Sequence, residues 1–424
     1  MFVAFFLCIG ISAPVHAQKH THEPSTHSNA MMSPGGVSHT RDASGTAWEP
    51  DSTPIHAYHY TLGDWMVMTH FNAFLAYDKQ WGPRGNDQLN SINWLMIMAS
   101  RPLGAGALMF RGMFSLEPAT TTAEGYPLLF QSGEVFEGRP LVDRQHPHDL
   151  FMELAARYRY PLAEKAALSL YLAPSGEPAL GPPVFMHRAS AADIPAAPLT
   201  HHWLDSTHIS FGVATLGVVY DRLQLEGSIF NGHEPDEHRW NFDPIDLDSY
   251  AGRLTCNPTP NWSLQASFGY LHSPEQLHPE EDAHRTTMSV IHNGPQANGG
   301  NWATTAAWGV NRESGVNSSG VLLESLVNIA DRHVIFGRVE YVEKSGEDLA
   351  TEPEDESYGI TELTLGASRE VAHGKPCSIA IGASVTYNFK PSSLDSLYGD
   401  SPVGLWIFLR VRPDVVRRDN DHVL

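Results

Sequence analysis

The feature that most constrains this chain is a two-residue alternation of apolar and small polar side chains, repeated along most of its length. Its clearest example is Cys377–Phe389, whose odd positions are apolar and end in Tyr387 and Phe389, while its even positions are small or polar. Successive side chains of a strand point to opposite faces, so this stretch has one apolar face and one polar face. A soluble β-sandwich strand can show the same alternation, so the number and spacing of such stretches must decide the fold class.

Sixteen such stretches follow one another, and an even number of antiparallel strands is typical of a membrane β-barrel. They are predicted at 65–78, 88–101, 107–117, 149–161, 166–173, 207–220, 222–231, 248–258, 261–271, 284–294, 300–311, 320–330, 332–344, 357–371, 376–389 and 403–412.

The connections between these stretches alternate between short and long. The short ones are predicted at 102–106, 162–165, 221, 259–260, 295–299, 331 and 372–375. The long ones are predicted at 79–87, 118–148, 174–206, 232–247, 272–283, 312–319, 345–356 and 390–402. In an outer-membrane barrel the short turns face the periplasm and the long loops face outside, so we expect both termini in the periplasm.

The remaining segments give the domain organisation. The apolar run before Val15-His16-Ala17 predicts a signal peptide, residues 1–17, with cleavage before Gln18. No later stretch is apolar enough for a spanning helix. We therefore predict an all-β, transmembrane antiparallel barrel of about sixteen strands over 60–412, with long extracellular loops. A flexible, disordered periplasmic tail containing His and Met is predicted at 18–59, and a C-terminal tail at 413–424.

Blocks of sequence at Gly45–Pro54, Arg139–Ala155, Gly176–Ser190 and His201–Gly212 resemble an uncharacterised family of bacterial, Gram-negative outer-membrane barrel proteins. The resemblance implies a porin-like barrel in the bacterial outer membrane. It implies no particular substrate and no catalytic residue.

Charged side chains occur on the polar face of the predicted strands, where a water-filled lumen tolerates them better than lipid does. Sixteen strands enclose an aqueous channel unless loops or a tail fill it. The charged residues predicted to face inward are Arg111, Glu117, Glu153, Arg157, Arg253, Glu324, Arg338, Glu340, Glu362 and Arg410. Of these, Arg111, Glu153, Arg157, Arg338 and Glu340, together with Arg144 and Asp149 of a long loop, are the predicted lumen and constriction residues.

Two long loops, 118–148 and 174–206, are dense in Gly, Pro and His, and we expect them to fold against each other and narrow the barrel. His146, His148, His201 and His202 lie in these loops near carboxylates, which is the donor chemistry of a Zn²⁺ or Cu²⁺ site. The alternative is that these imidazoles only hydrogen-bond the loop backbone. The tail offers weak copper or zinc capture through His20, His22, His27, His39, Met31 and Met32, or is simply solvated.

The predicted function is passage of small polar solutes or metal ions, and the alternative is a structural or copper- or zinc-binding barrel without an open pore. A lipid hydrolase built on His208-Ile209-Ser210 is less favoured, because both polar groups should point inward, so no enzyme activity is predicted. No cofactor is predicted apart from copper or zinc at the histidines. The expected partners are outer-membrane lipid, the barrel assembly machinery, and small solutes or metal ions. A net charge of −21 excludes nucleic acid.

Overall fold

A computed structural model describes residues 32–34, 37–296, 300–330, 332–372 and 377–414 of the chain. The predicted signal peptide, most of the predicted C-terminal tail and the first histidines of the predicted N-terminal tail lie outside these residues. Among the described helices, none is both long and apolar enough to cross a bilayer.

Sixteen long strands, β1 to β16, form the wall. In chain order they are Trp65–Gln80, Asp87–Leu103, Gly106–Phe114, Phe151–Ala163, Ala166–Gly176, Ser210–Tyr220, Leu223–Phe230, Ser249–Thr259, Trp262–Leu271, Ala283–Pro295, Asn301–Glu313, Val316–Ile329, His333–Ser345, Ser357–Ala372, Cys377–Phe389 and Val403–Pro413. Each pairs antiparallel with its neighbours in the chain, and the barrel closes between β16 and the outer part of β1, with Leu405 opposite Lys79. The rest of β1 pairs with the short strand Tyr58–Leu62.

Smaller elements occur in the connections and the N-terminal segment. The short helices are Glu117–Thr120, His201–Leu204 and Asp395–Tyr398, and the 3₁₀ turns are His39–Arg41, Phe185–His187, Ala189–Ala191, Ser206–His208 and Ser392–Leu394. The two-stranded pairs are Met32–Ser33 with Val37–Ser38, Tyr126–Pro127 with Arg144–Gln145, and Glu134–Phe136 with Arg139–Leu141.

The two faces of the wall differ as the alternation predicts. In β15, Ile381, Val385 and Phe389 are about half exposed on the outside, whereas Ser378 and Ser384 are buried on the inside. Nearly every strand contributes exposed Leu, Val, Ile, Phe, Tyr or Trp to this outer surface. An apolar belt around a closed barrel is the surface of a protein that spans a membrane. The predicted all-β fold, the antiparallel barrel and the count of sixteen strands are confirmed.

The connections also alternate as predicted, with one exception. The connection predicted as a long loop at 312–319 is a tight turn. It is short because β11 continues to Glu313 and β12 already begins at Val316, and most side chains at these strand ends are polar. Ser314 and Gly315 form this turn with φ values of 46° and 85°, the backbone that a two-residue hairpin needs. The prediction failed because these strand ends carry no apolar alternation that would mark them.

An N-terminal plug, residues 37–57, lies inside the barrel, which corrects the interpretation of residues 18–59 as a flexible tail for this part of the chain. Residues 43–50, Trp48 among them, are all buried, and so are Thr53 and Ala57. The plug enters at the end of the barrel that carries the short turns, where Arg41 donates to the Asp221 carbonyl (3.1 Å). Side chains of the wall donate hydrogen bonds to the backbone carbonyls of the plug. These carbonyls need such partners because they are buried away from water.

An inner loop, residues 177–209, fills the barrel from the opposite end. Its apolar side chains form one core with the outer loop, residues 115–150, and with inward residues of the wall. The backbone amide of Ala197 in the inner loop donates to the Tyr126 hydroxyl of the outer loop (3.1 Å). The two long loops therefore do fold against each other. The apolar residues of this core that the inner loop supplies are Val184, Phe185, Ile194, Ala197, Leu199, Trp203 and Leu204.

Candidate functional site

Five histidines meet where the outer loop and the inner loop touch. His146 and His148 lie just before β4, His201 and His202 begin the short helix His201–Leu204, and His208 ends the turn before β6. We call these five residues the histidine cluster. Neighbouring ring centroids are 6.2 Å apart for His146 and His148, 5.3 Å for His148 and His208, 5.1 Å for His208 and His201, and 5.5 Å for His201 and His202. The structure thus brings together the four histidines singled out from the sequence and adds His208.

The short helix that carries two of these histidines is held from both sides. Glu340 of β13 accepts hydrogen bonds from the amide (3.0 Å) and hydroxyl (2.7 Å) of Thr200, directly before the helix. Asp205, directly after it, pairs with Arg188 at 2.6 Å, and Arg188 in turn pairs with Glu324 of β12 at 2.6 Å. Inward charges of the wall therefore position the helix and its histidines.

In four of the five rings the Nδ1 atom already has a partner. His148 Nδ1 lies 2.9 Å from a Glu117 carboxylate oxygen, and His201 Nδ1 lies 2.6 Å from an oxygen of Asp205. His146 Nδ1 and His208 Nδ1 lie 3.1 and 3.0 Å from the carbonyls of Pro147 and Asp205. A partner on Nδ1 fixes the ring and the tautomer so that Nε2 carries the lone pair, which is the usual arrangement behind a metal-binding histidine.

In three of the rings, the Nε2 nitrogen on the opposite side lacks a hydrogen-bond partner within the part of the chain that the structure describes. Nε2 of His148, His202 and His208 is buried and has no hydrogen-bond partner among the described residues. A buried polar atom without a partner costs roughly 1–3 kcal/mol, so three of them in one cluster require a physical reason. A cation bound to imidazole nitrogen would supply it.

One group within the site already has the composition of a metal centre. Ligand atoms of Glu134, His146 and His202 all lie within 4.8 Å of one another. His146 Nε2 is 3.0 Å from a Glu134 oxygen, while the other Glu134 oxygen accepts from Arg239 at 2.9 Å. Two imidazoles and one carboxylate are the donors that Zn²⁺ and Cu²⁺ prefer. A small closure of the outer loop toward His202 would bring the three atoms to bonding distance.

The electrostatics act on Glu134 of this group and on two neighbouring histidines of the cluster, His201 and His208. Burial would raise the pKa of Glu134, but the charges of His146 and Arg239 outweigh it and hold the pKa well below its usual range. Burial lowers the pKa of His201 to about 4, and it lowers the pKa of His208 well below its usual range. The carboxylate is therefore ionised and these imidazoles are neutral at neutral pH.

An acidic chamber of about 180 Å³ lies outside the histidine cluster. Glu134, which contacts His146, is part of its lining. Burial and the nearby carboxylates of Glu313 and Glu234 raise the pKa of Glu275 well above its usual range, so like charges crowd this space. Such a chamber attracts cations. Its other carboxylates are those of Glu281, Glu347 and Asp348.

The predicted lumen residues face inward, but they contact protein. Arg111 pairs with Glu153 at 2.8 Å and donates to the carbonyls of Ala43 and Gly45 in the plug. Arg157 pairs with Asp42 of the plug. The interior charges thus lock the plug in place.

The remaining predicted constriction residues lie in the wall and in the outer loop. Arg338 lies 3.2 Å from Glu324 and 3.9 Å from Glu340, inside the wall. Asp149 is buried and pairs with Arg239 at 3.1 Å. Arg144 is partly buried and donates to Gln88 and the Gly125 carbonyl, and its role in a constriction stays a prediction. Its position follows from the small pair Tyr126–Pro127 with Arg144–Gln145, which the apolar alternation does not predict.

Some residues of the site were missed in the sequence. Glu134 and Glu234 were missed because no short spacing links them to His146 and His202. Glu117 was predicted to face inward, but its contact with His148 was not predicted. One signal was present. Gly133, next to Glu134, lies so close to the His202 ring that a Cβ atom there would be 2.7 Å from Nδ1. A glycine beside an acidic residue in a long loop is what such a close approach needs.

The serine and histidine weighed as a hydrolase pair do face inward. Ser210 is buried and its hydroxyl donates to the Thr207 carbonyl (3.2 Å), while His208 Nδ1 contacts the Asp205 carbonyl. Neither group lies on the lipid-facing side of the wall.

No family model matches the sequence, and no curated protein sequence matches it. Among solved structures, the chain is similar to OmpF of Salmonella typhi, described in complex with daunomycin, with a TM-score of 0.52 and 9% identity over 83% of this chain and 100% of that one. An anion-selective porin from Comamonas acidovorans has a TM-score of 0.49 and 9% identity, over 82% and 99% of the two chains. At this identity the similarity to OmpF shows the fold alone, and it confirms the porin-like barrel.

Proposed function

We propose that this protein is a bacterial outer-membrane barrel that captures transition-metal cations at its outer end and passes them inward. The single observation that carries the proposal is the convergence of His146 and His202 on Glu134, which lines the acidic chamber. The chamber raises the local concentration of cations, and the histidine cluster then selects those that bind imidazole. Zn²⁺ and Cu²⁺ fit the donor set, whereas Mg²⁺ and Ca²⁺ prefer oxygen donors alone.

The filled interior favours ions over larger solutes. The plug and the inner loop meet inside the barrel, where the amide of Val184 donates to the Ser44 hydroxyl (3.0 Å) and the amide of Ala189 donates to Glu49 (3.3 Å). A hydrated sugar or amino acid would have to displace both segments. A cation handed between side-chain donors needs only small movements, which is why we favour metal passage over passage of small polar solutes.

The orientation follows from the ends of the barrel. The plug and the last described residue of β16 lie at the end that carries the short turns, and the acidic chamber lies at the end that carries the long loops. In outer-membrane barrels long loops face the outside. We therefore place the chamber outside the cell and both termini in the periplasm.

Binding is tested by calorimetric titration of Zn²⁺, and separately Cu²⁺, into the purified protein in detergent. We expect His146→Ala combined with His202→Ala, and separately Glu134→Gln, to weaken binding at least tenfold, because each removes ligand atoms of the proposed site. His272→Ala is the matched control. His272 is an exposed histidine of another loop that pairs with Asp282 at 2.7 Å, and its loss should leave the affinity unchanged.

Passage is tested in proteoliposomes that contain a fluorescent zinc chelator. We expect zinc entry through the native barrel, slower entry through the double histidine variant, and little entry of a neutral sugar measured by liposome swelling. Unchanged Zn²⁺ affinity in both site variants, the double histidine variant and Glu134→Gln, would refute the binding site. Fast sugar entry would show that the barrel is an ordinary porin.

A further inference from the structure

A second group of metal-binding side chains lies deeper in the barrel, between the inner loop and the first three strands. We call it the thioether pocket; its members are His70, Trp94, Met96, Met98, Met113, Met186 and His187. It borders a cavity of about 120 Å³ that is also lined by the plug. Neither the histidine cluster nor the acidic chamber shares a residue with it.

The barrel wall itself places three of these residues side by side. His70 of β1 is the register partner of Met96 in β2, and Met96 is the register partner of Met113 in β3. Side chains directly opposite each other in antiparallel strands have Cβ atoms about 4.5–5.5 Å apart. The row of His70, Met96 and Met113 therefore follows from the backbone, whatever rotamers the side chains adopt.

The sulfur and nitrogen atoms also face one another. His70 Nε2 lies 3.0 Å from the Met96 sulfur, and His187 Nε2 lies 3.3 Å from the Met113 sulfur. The two imidazole centroids are 5.7 Å apart. The Trp94 ring lies beside both, with centroids 5.0 Å from His70 and 4.8 Å from His187. Two nitrogen–sulfur pairs, His70 with Met96 and His187 with Met113, thus lie beside one aromatic ring.

Methionine is often only a filler of apolar gaps, so the simple packing role must be weighed. A filler explains Met152, which packs in the same buried cluster as Met96 and Met113. It does not explain two imidazole nitrogens that each face a thioether, since a thioether is a weak hydrogen-bond acceptor. Carbonyls or carboxylates would serve buried histidines better as partners.

Charged groups elsewhere along the cavity have their own partners. Asp193 pairs with Arg410 and, at 3.3 Å, with Arg412, while Arg188 pairs with Asp205 and Glu324. Burial raises the pKa of Glu49 to about 8, which leaves that side chain neutral at neutral pH. The donors that remain for a ligand along the described part of the cavity are therefore neutral: sulfur, imidazole nitrogen and the amide oxygens of Asn72 and Asn328. That environment is costly for a divalent ion and less costly for a monovalent one.

We infer that the thioether pocket binds a soft monovalent metal cation, Cu⁺ or its analogue Ag⁺, through Met96, Met113, His70 and His187. Thioether sulfur selects Cu⁺ over harder ions. The Trp94 ring adds a cation–π contact, because a cation held by His70 and His187 would lie within about 6 Å of its face. This inference names a site and an ion different from those of the histidine cluster, and it does not depend on passage of metal through the barrel.

The test is titration of Ag⁺, which has no redox chemistry under these conditions, into the full chain purified in detergent. Binding is followed by calorimetry and by quenching of tryptophan fluorescence. We expect Met96→Leu combined with Met113→Leu to weaken one Ag⁺ site at least tenfold and to remove the quenching. Trp94→Phe should remove the quenching and leave most of the affinity.

Two controls keep the outcome interpretable. Met288→Leu changes a methionine on the exposed outer face of β10 and should bind Ag⁺ like the native protein. Leu conserves the volume of Met, and heat-modifiable migration on a gel reports whether each variant forms the barrel. Zn²⁺ binding should persist in the double Met variant, which separates this site from the histidine cluster. Native-like Ag⁺ affinity and quenching in a folded double variant would overturn the inference.

Discussion

The inner loop and the N-terminal plug both fill the barrel, but different forces hold them there. The inner loop buries large apolar side chains in a common core, and its Arg188 lies between two buried carboxylates. The plug is held by polar contacts: Asp42 pairs with Arg157 and Arg159, Arg111 donates to the Ala43 carbonyl, and Asn293 donates to the Ser52 carbonyl (2.7 Å). Few large apolar groups anchor it, and Trp48 is the main one.

Because of this difference, we expect the inner loop to stay fixed and the plug to act as a gate. A segment held by hydrogen bonds and ion pairs, which water replaces when the segment leaves, opens at lower cost than one that must expose an apolar core. We therefore expect the plug to leave the barrel while the inner loop stays and holds the histidine cluster in place. Residues of the plug line the cavity beside the thioether pocket, so release of the plug would open that cavity at the end of the barrel that carries the short turns.

The largest expected effect comes from removing the ion pairs through which Arg188 anchors the inner loop. Replacement by Met leaves the carboxylates of Asp205 and Glu324 buried without this partner, which typically costs about 3–5 kcal/mol. We expect Arg188→Met to lower the free energy of unfolding in urea by that amount and to weaken Zn²⁺ binding, because Asp205 orients His201. Adding Glu324→Gln to this variant should restore part of the stability. A variant as stable as the native protein would show that the inner loop is not anchored by this network.

Much of the wall could be predicted because the information is local. A lipid-facing strand must alternate apolar with small or polar residues, and this pattern appears within any eight to ten consecutive positions, as it does in Cys377–Phe389. The pattern failed only where strands leave the membrane, at the turn through Ser314 and Gly315. There the strands continue beyond the membrane, where no lipid contact requires one face to be apolar.

The filling of the barrel could not be predicted in the same way, because it depends on distant contacts. Asp42 meets Arg157 across 115 residues of chain, and both were visible only as charges of opposite sign. The histidines could be found because they occur as close pairs in the sequence, His146 with His148 and His201 with His202. His70 and Met96 were not found, because their register is a property of the paired strands.

An intermediate effect is expected from pH, and it should act on the plug alone. Burial raises the pKa of Glu49 from 4.5 to about 8. The folded plug therefore keeps a proton that the free segment releases between these values, so the stability of the docked plug is highest in acid and falls as the pH rises through this window. Each pH unit contributes at most about 1.4 kcal/mol, so we expect about 3–4 kcal/mol between pH 5 and pH 8.

Limited proteolysis between pH 5 and pH 8 measures this effect. The native plug should become easier to cleave toward pH 8, whereas in Glu49→Gln the cleavage rate, corrected for the pH dependence of the protease, should stay nearly constant. Cleavage within the inner loop provides the internal control, since it should not follow the titration of Glu49. An equal pH dependence in the native protein and in Glu49→Gln would rule out this group as the cause.

The smallest expected effect compares one matched change in each segment. Thr46 of the plug accepts a hydrogen bond from Arg253 (2.9 Å), and Thr200 of the inner loop donates to Glu340 (2.7 Å); both threonines are buried. Replacement by Val keeps the shape and removes the hydroxyl, at a cost of about 1–2 kcal/mol in either place. Thr46→Val should speed cleavage of the plug and leave the urea unfolding of the barrel unchanged. Thr200→Val should lower the unfolding free energy and leave plug cleavage unchanged. If both variants shifted both measurements together, the plug and the inner loop would form one cooperative unit and the plug could not act as a gate.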